Sequence, residues 1–153
     1  MTWRSGRSAV AMLVLLGACD REERPAVATD ATRAESLALR IDRDSARLRH
    51  DTATMFGLSS EGAFVTASYA GDTLRRVRAE LMGETGRVTE RFYFDSALAL
   101  VVRRAERYDG PLSGRVVEST VTRHDLRDGH MPRARRDSLA AEARALIARM
   151  KEP

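Results

Sequence analysis

The chain reads as an α+β domain, an antiparallel meander of about five to six strands packed with an N-terminal and a C-terminal helix. Three observations carry this reading. Residues 32–56 and 136–150 hold apolar side chains at helical spacing, the stretch 62–133 between them alternates with period two, and short Gly- and Asp-containing turns divide that stretch at hairpin spacing. Helices and strands do not alternate as βαβ units, so the sheet is expected to be antiparallel. At 153 residues one domain is the default, and 32–153 is read as that domain.

The first helix is placed at 32–56. Thr32-Arg33-Ala34-Glu35 fits a capping box, in which the hydroxyl and the carboxylate each satisfy an early backbone N–H. Ala34, Ile41, Leu48 and Met55 recur every seven residues with Leu37 and Ala38 beside them, a narrow apolar stripe, and Gly57 stands where a C-terminal cap belongs.

Period-two patterning then takes over. Ala63, Val65, Ala67 and Tyr69 share one face of a strand, and Gly71-Asp72 turns the chain. Val77, Ala79 and Leu81 share a face of the next, opposite Arg76, Arg78 and Glu80. Gly83-Glu84-Thr85-Gly86 is a compact turn before Val88, Phe92 and Phe94, and Asp95-Ser96 leads into Ala97–Arg107. There Leu98, Leu100 and Val102 alternate with Ala99, Val101 and Arg103. After Tyr108-Asp109-Gly110-Pro111, a last pair of strands is expected at 115–126 and 130–133 around Arg127-Asp128-Gly129. In the closing helix, 136–150, Leu139, Ala143, Leu146, Ile147 and Met150 form one amphipathic face. Both helices are expected on the single apolar face of the sheet, packed closely through the alanines of 136–150.

Composition supports a soluble domain: 43% of residues are hydrophobic and 31% charged. Aromatics make up only 5%, so the core must rest on Leu, Val and Ala. The net charge of +4 suggests a phosphate-binding surface, but Arg4 and Arg7 lie in the leader, and without them 24 basic residues face 22 acids. The remaining arginines interleave with acids, as in Asp42-Arg43-Asp44 and Arg104-Ala105-Glu106-Arg107, which reads as a solvated surface; no nucleic-acid partner is expected. The single cysteine excludes an internal disulfide and any multi-cysteine metal site.

The leader has the three-part pattern of an export signal. Arg4 and Arg7 form a positive segment, Ala9–Leu16 a short apolar run, and Gly17-Ala18 the small residues that precede a cleavage point. The apolar run is far shorter than the ~20 residues of a membrane-spanning helix. Leu16-Gly17-Ala18-Cys19 resembles the lipobox of bacterial lipoproteins. The resemblance implies a signal peptide over 1–18, cleavage between Ala18 and Cys19, diacylglycerol on the Cys19 sulfur, and often N-acylation with a chain such as palmitate. One acyl chain holds a protein on a membrane only marginally, whereas two or three anchor it stably. Residues 19–31, polar and without periodicity, read as the tether. The expected address is the bacterial cell envelope, lipid-anchored and facing the periplasm; Asp20 does not choose between inner and outer membrane.

Three stretches, 69–77, 92–98 and 124–131, repeat a strand end with aromatic or bulky residues, an Asp- or Gly-containing turn, and a strand start with a large apolar residue. This resembles the aromatic-turn-leucine hairpins of small, uncharacterised bacterial envelope lipoproteins. The third copy departs, with His124 and Asp125 in the aromatic positions. The resemblance implies a fold and a compartment and carries no catalytic residues.

Candidate chemistry is sparse. His124 and His130 flank the last turn near Asp125 and Asp128, but a zinc or copper site needs three or four ligands at fixed geometry. No serine sits in a nucleophile elbow, Cys19 is committed to lipid, and no glycine loop precedes a helix as phosphate binding requires. No catalytic residue, metal or cofactor is assigned. Phe92 and Phe94 share a strand face directed at the core, while Tyr93, beside Arg91, points the other way and is the candidate binding surface. The expectation is a membrane-anchored, non-catalytic binding or adaptor module whose partners are the membrane, through Cys19, and an envelope protein. A small-molecule or lipid carrier and an envelope hydrolase are the alternatives.

Overall fold

The computed structural model describes residues 31–111 and 113–151. Helix α1 (Ala31–Arg43) leads through a 3₁₀ turn (Ser45–Arg47) into six strands and a closing helix. The strands are β1 (Arg49–Met55), β2 (Ala63–Ala70), β3 (Thr73–Gly83), β4 (Gly86–Phe94), β5 (Leu98–Tyr108) and β6 (Val116–Asp125); helix α2 is Arg133–Arg149. Sheet order follows chain order from β1 to β6, and every neighbouring pair is antiparallel. The predicted α+β meander with a helix at each end is the observed architecture. Signal segment 1–18, cleavage residues Ala18 and Cys19, and all but the last residue of tether 19–31 lie outside the described residues. Among the described residues no helix is long and apolar enough to cross a membrane.

Turn chemistry accounts for the short connections. Ala70 pairs with Thr73 across Gly71-Asp72, and Gly71 takes the left-handed φ of 58° that a side chain would resist. Gly83 pairs with Gly86 across Glu84-Thr85. At Gly86 the requirement is a close approach: a Cβ there would lie 2.2 Å from the Glu106 carbonyl oxygen on β5.

The first helix ends at Arg43, well before the expected Gly57 cap, and Thr32 lies inside it instead of ahead of it. Residues 49–55 form β1 and pair with β2 along all seven positions. Arg-His-Asp-Thr-Ala-Thr-Met carries two β-branched threonines at alternate positions, and pairing with the otherwise open edge of β2 outweighs a longer helix. The seven-residue repeat therefore spans two kinds of element. Ala34 and Ile41 face inward from α1, Leu48 packs beneath it, and Met55 enters the core from β1.

The expected strand at 130–133 does not form. Just beyond β6, Leu126 N–H still bonds the Ala99 carbonyl of β5 (2.9 Å); the chain then folds into successive turns, with Asp128 N–H on the Asp125 carbonyl (3.3 Å) and Met131 N–H on the Asp128 carbonyl (3.2 Å). Pro132, lacking the N–H a ladder needs, stands immediately before α2, which starts at Arg133.

The helices take opposite faces of the sheet instead of sharing one. Leu139, Ala143 and Leu146 of α2 cover Val65, Ala67, Val77, Ala79, Phe92 and Val101. Across the sheet, Ala34, Leu37, Ala38 and Ile41 of α1 cover Tyr93, Ala99 and Leu100. The cause lies in β4 and β5, which carry large apolar residues at consecutive positions, Phe92-Tyr93 and Leu100-Val101, so the sheet presents an apolar patch on each side. An irregularity in the β4–β5 pairing beyond Tyr93 brings both Ala99 and Leu100 to the α1 side.

Candidate functional site

Phe92 and Tyr93 point to opposite faces, as their alternation predicts, and Phe94 packs against the Phe92 side. Tyr93 is nevertheless only 1% exposed, because α1 lies over it. Its hydroxyl donates to Asp42 Oδ2 at 2.9 Å, and burial, reinforced by the Asp42 charge, raises its pKa. Arg76 Nη1 donates to the other carboxylate oxygen of Asp42 at 2.6 Å, and Arg76 Nη2 to Ser45 Oγ at 3.0 Å. Tyr93 thus ties α1 to the sheet and offers no exposed ring. Arg91 remains half-exposed, 3.9 Å from Asp42 Oδ2, beside a shallow cleft of about 280 Å³ under α1.

The histidines are dispersed. His50 Nδ1 lies 3.0 Å from Ser68 Oγ and its Nε2 3.0 Å from the Ser45 carbonyl, joining β1 to β2 and to the 3₁₀ turn. His124 Nε2 lies 3.3 Å from Arg135 Nη2 on α2. Burial, with the charges of Arg135 and Arg103, lowers the His124 pKa. With no strand at 130–133, His124 and His130 are not cross-strand partners. Among the described residues no three His, Cys, Asp or Glu side chains converge in a metal-binding group.

Glu90 is the one glutamate among the described residues in the buried set, at 7% exposure beneath α2. Its pKa is pushed up to about 7, mainly by burial and by the nearby Glu142 carboxylate, against the opposing pull of Arg103. Arg103 Nε stands 3.5 Å from its carboxylate.

The most open feature is β6. Bonded only to β5, it leaves its outer row of N–H and C=O groups facing outward along ten residues. Its first eight residues are exposed, among them Val116, Val117 and Val121. The charges within that exposed run are engaged inside the molecule, Glu118 with Arg107 (3.0 Å) and Arg123 with Glu35 (3.5 Å). The opposite edge, β1, is shorter, at seven residues, and likewise carries an exposed ion pair, Arg49 with Asp51, but no exposed large apolar side chain. Sequence reasoning placed β6 but missed its exposure. The available signal was Val116-Val117 followed by Val121, apolar residues assigned to both faces of one strand with no core to receive them.

Comparison with protein-family models, with curated proteins and with solved structures gives no match.

Proposed function

We propose that this chain is a lipid-anchored adaptor of the bacterial cell envelope, which captures an extended segment of a partner protein along the outer edge of β6. The observation that carries the reading is the ten-residue β6 edge, on which Val116, Val117 and Val121 are exposed, set against a β1 edge of seven residues with no exposed large apolar side chain. Edge-strand addition draws affinity from main-chain hydrogen bonds and specificity from alternate side chains. On β6, beyond the register shift at Val117, those positions are Ser119 and Val121 on one face and Glu118, Thr120 and Thr122 on the other. The lipobox ending at Cys19 supports the address, and a tether of about a dozen residues lets the edge scan the space next to the bilayer. The reading assigns no catalytic step.

The test is site-specific photocrosslinking of the full chain in its native envelope. A photoreactive residue at Val117 or Val121 is expected to trap one reproducible partner, whereas one at Thr52 on β1 traps none. Val117→Lys with Val121→Lys, which places charge on the free edge, abolishes capture at a probe moved to Ser119. Equal capture from both edges, or capture that survives the lysines, overturns the reading.

A further inference from the structure

A second surface, distinct in chemistry from the β6 edge, lies on the α2 side. A cleft of about 610 Å³ opens between α2, the turn joining β4 to β5, and the segment beyond β6. Its size falls within the roughly 300–1,000 Å³ usual for small-molecule sites. Phe94, Leu98, Leu126 and Ala143 line it with apolar surface; Leu126 and Ala143 are buried, and the other two pack against the main core. The alanines of α2, expected to pack closely, are part of the cause: Ala140 and Ala143 present only methyl groups toward the cleft, and the space they leave is not filled by a neighbour.

The rim is basic. Arg127, Arg136 and Arg144 border the cleft, with Asp137 as the acid among them. Two of these four are neutralised: Arg127 donates to Asp95 at 2.8 Å, and Asp137 lies 3.6 Å from Arg133. Arg136 and Arg144 have no carboxylate partner among the described residues. Arg136 Nη2 is held by the carbonyls of Asp128 (3.2 Å) and Met131 (3.3 Å), which fixes its guanidinium, while its buried Nε has no acceptor.

An apolar floor, one arginine immobilised by backbone carbonyls and one free arginine on the rim, neither paired with a carboxylate among the described residues, define a ligand with two parts. We infer that this cleft binds a single-chain anionic amphiphile, its alkyl chain over Phe94, Leu98 and Leu126 and its head group between Arg136 and Arg144. Carboxylate and phosphate share the chemistry recognised here, since guanidinium groups pair with both through charge-assisted hydrogen bonds. The proposal is independent of the β6 edge, and either can fail without the other.

Isothermal titration of the full chain with dodecanoate and with dodecyl phosphate, each below its micellar concentration, tests it. Saturable one-to-one binding of at least one is expected; the tighter of the two assigns the source, a fatty acid or a phosphorylated lipid. Arg144→Gln, a substitution on the exposed side of α2 that leaves the fold intact, weakens binding at least tenfold. Ala140→Leu narrows the cleft above its apolar floor and weakens binding with an unchanged thermal midpoint. The proposal is overturned if neither anion binds or if dodecyltrimethylammonium, the same chain with a cationic head, binds as tightly. It is equally overturned if Arg144→Gln binds both anions as the parent does, a result readable even if Ala140→Leu fails to fold.

Discussion

The hydroxyl of Tyr93, in the middle of the sheet, donates to the carboxylate of Asp42 in the last turn of α1 at 2.9 Å, and Arg76 of the neighbouring strand holds the second oxygen of the same carboxylate. One side chain thereby orients the helix end, two strands and, through Arg76 and Ser45, the 3₁₀ turn that redirects the chain into β1. The ring contributes apolar area under α1 while its polar tip meets a charged acceptor, the arrangement a buried tyrosine requires.

Tyr93→Phe keeps the ring and removes the donor. A hydrogen bond to a charged acceptor contributes about 1.5–3 kcal/mol when buried, and the partial exposure of Asp42 reduces this to about 1–2 kcal/mol. The urea midpoint is expected to fall accordingly with an unchanged slope. A midpoint equal to that of the parent shows that Arg76 alone holds Asp42.

Stability is expected to fall as pH rises through the range set by Glu90. Its carboxyl titrates near 7 in the folded chain against an ordinary value of 4.5, so the folded state holds a proton that the unfolded state has already released. The contribution is complete below about pH 4.5 and is lost by about pH 7; one pKa unit corresponds to about 1.4 kcal/mol, which makes the loss on the order of 3 kcal/mol. Glu90→Gln removes this slope and stabilises the chain at pH 8. His124, whose pKa is lowered, acts in the opposite sense in mildly acidic solution, so the decisive quantity is the difference between variant and parent in urea midpoints at pH 5 and pH 8. Parallel pH profiles for the two proteins rule out a buried proton on Glu90.

Mass spectrometry of the envelope-extracted protein is expected to find Cys19 as its first residue, carrying the mass of a diacylglyceryl group with or without a further acyl chain. Cys19→Ala moves the chain out of the membrane fraction, because no second anchoring signal is recognised in 20–31. An N-terminal peptide that includes Ala18, or an unmodified Cys19, removes the lipoprotein assignment.

Most of the sheet is legible in the sequence because its strands obey a local rule. Ala63, Val65 and Ala67 and then Val77 and Ala79 alternate with polar residues, and Gly71 and Gly83-Glu84-Thr85-Gly86 mark their turns. The sequence misleads where two local rules compete. The stripe Ala34–Ile41–Leu48–Met55 satisfies a helix, yet residues 49–55 equally satisfy a strand, and only the presence of β2 as a partner decides for the strand. Around Arg127-Asp128-Gly129 the chain does turn, but Pro132 makes the residues after it the start of a helix.

The candidate sites are less legible for a related reason. Tyr93 and Arg91 lie close together in sequence, but which of them is covered depends on where α1 lands, and that is set by apolar surface on both faces of β4 and β5. The cleft beneath α2 gathers Phe94 and Leu98 from one hairpin, Leu126 from beyond β6, and Arg136 and Arg144 from α2. No spacing in the chain connects these residues.

The sequence by itself determined the α+β class, the antiparallel order with a helix at each end, and the expectation of a lipid anchor at Cys19, because periodicity, turn residues and a cleavage motif each act within a few consecutive residues. The tertiary structure alone decided that the helices take opposite faces, that Tyr93 is buried against Asp42, that β6 is left as an open edge, and that a basic-rimmed cleft opens beneath α2. Each of those outcomes depends on which distant surface reaches a patch first and removes it from water, a competition that no local pattern encodes.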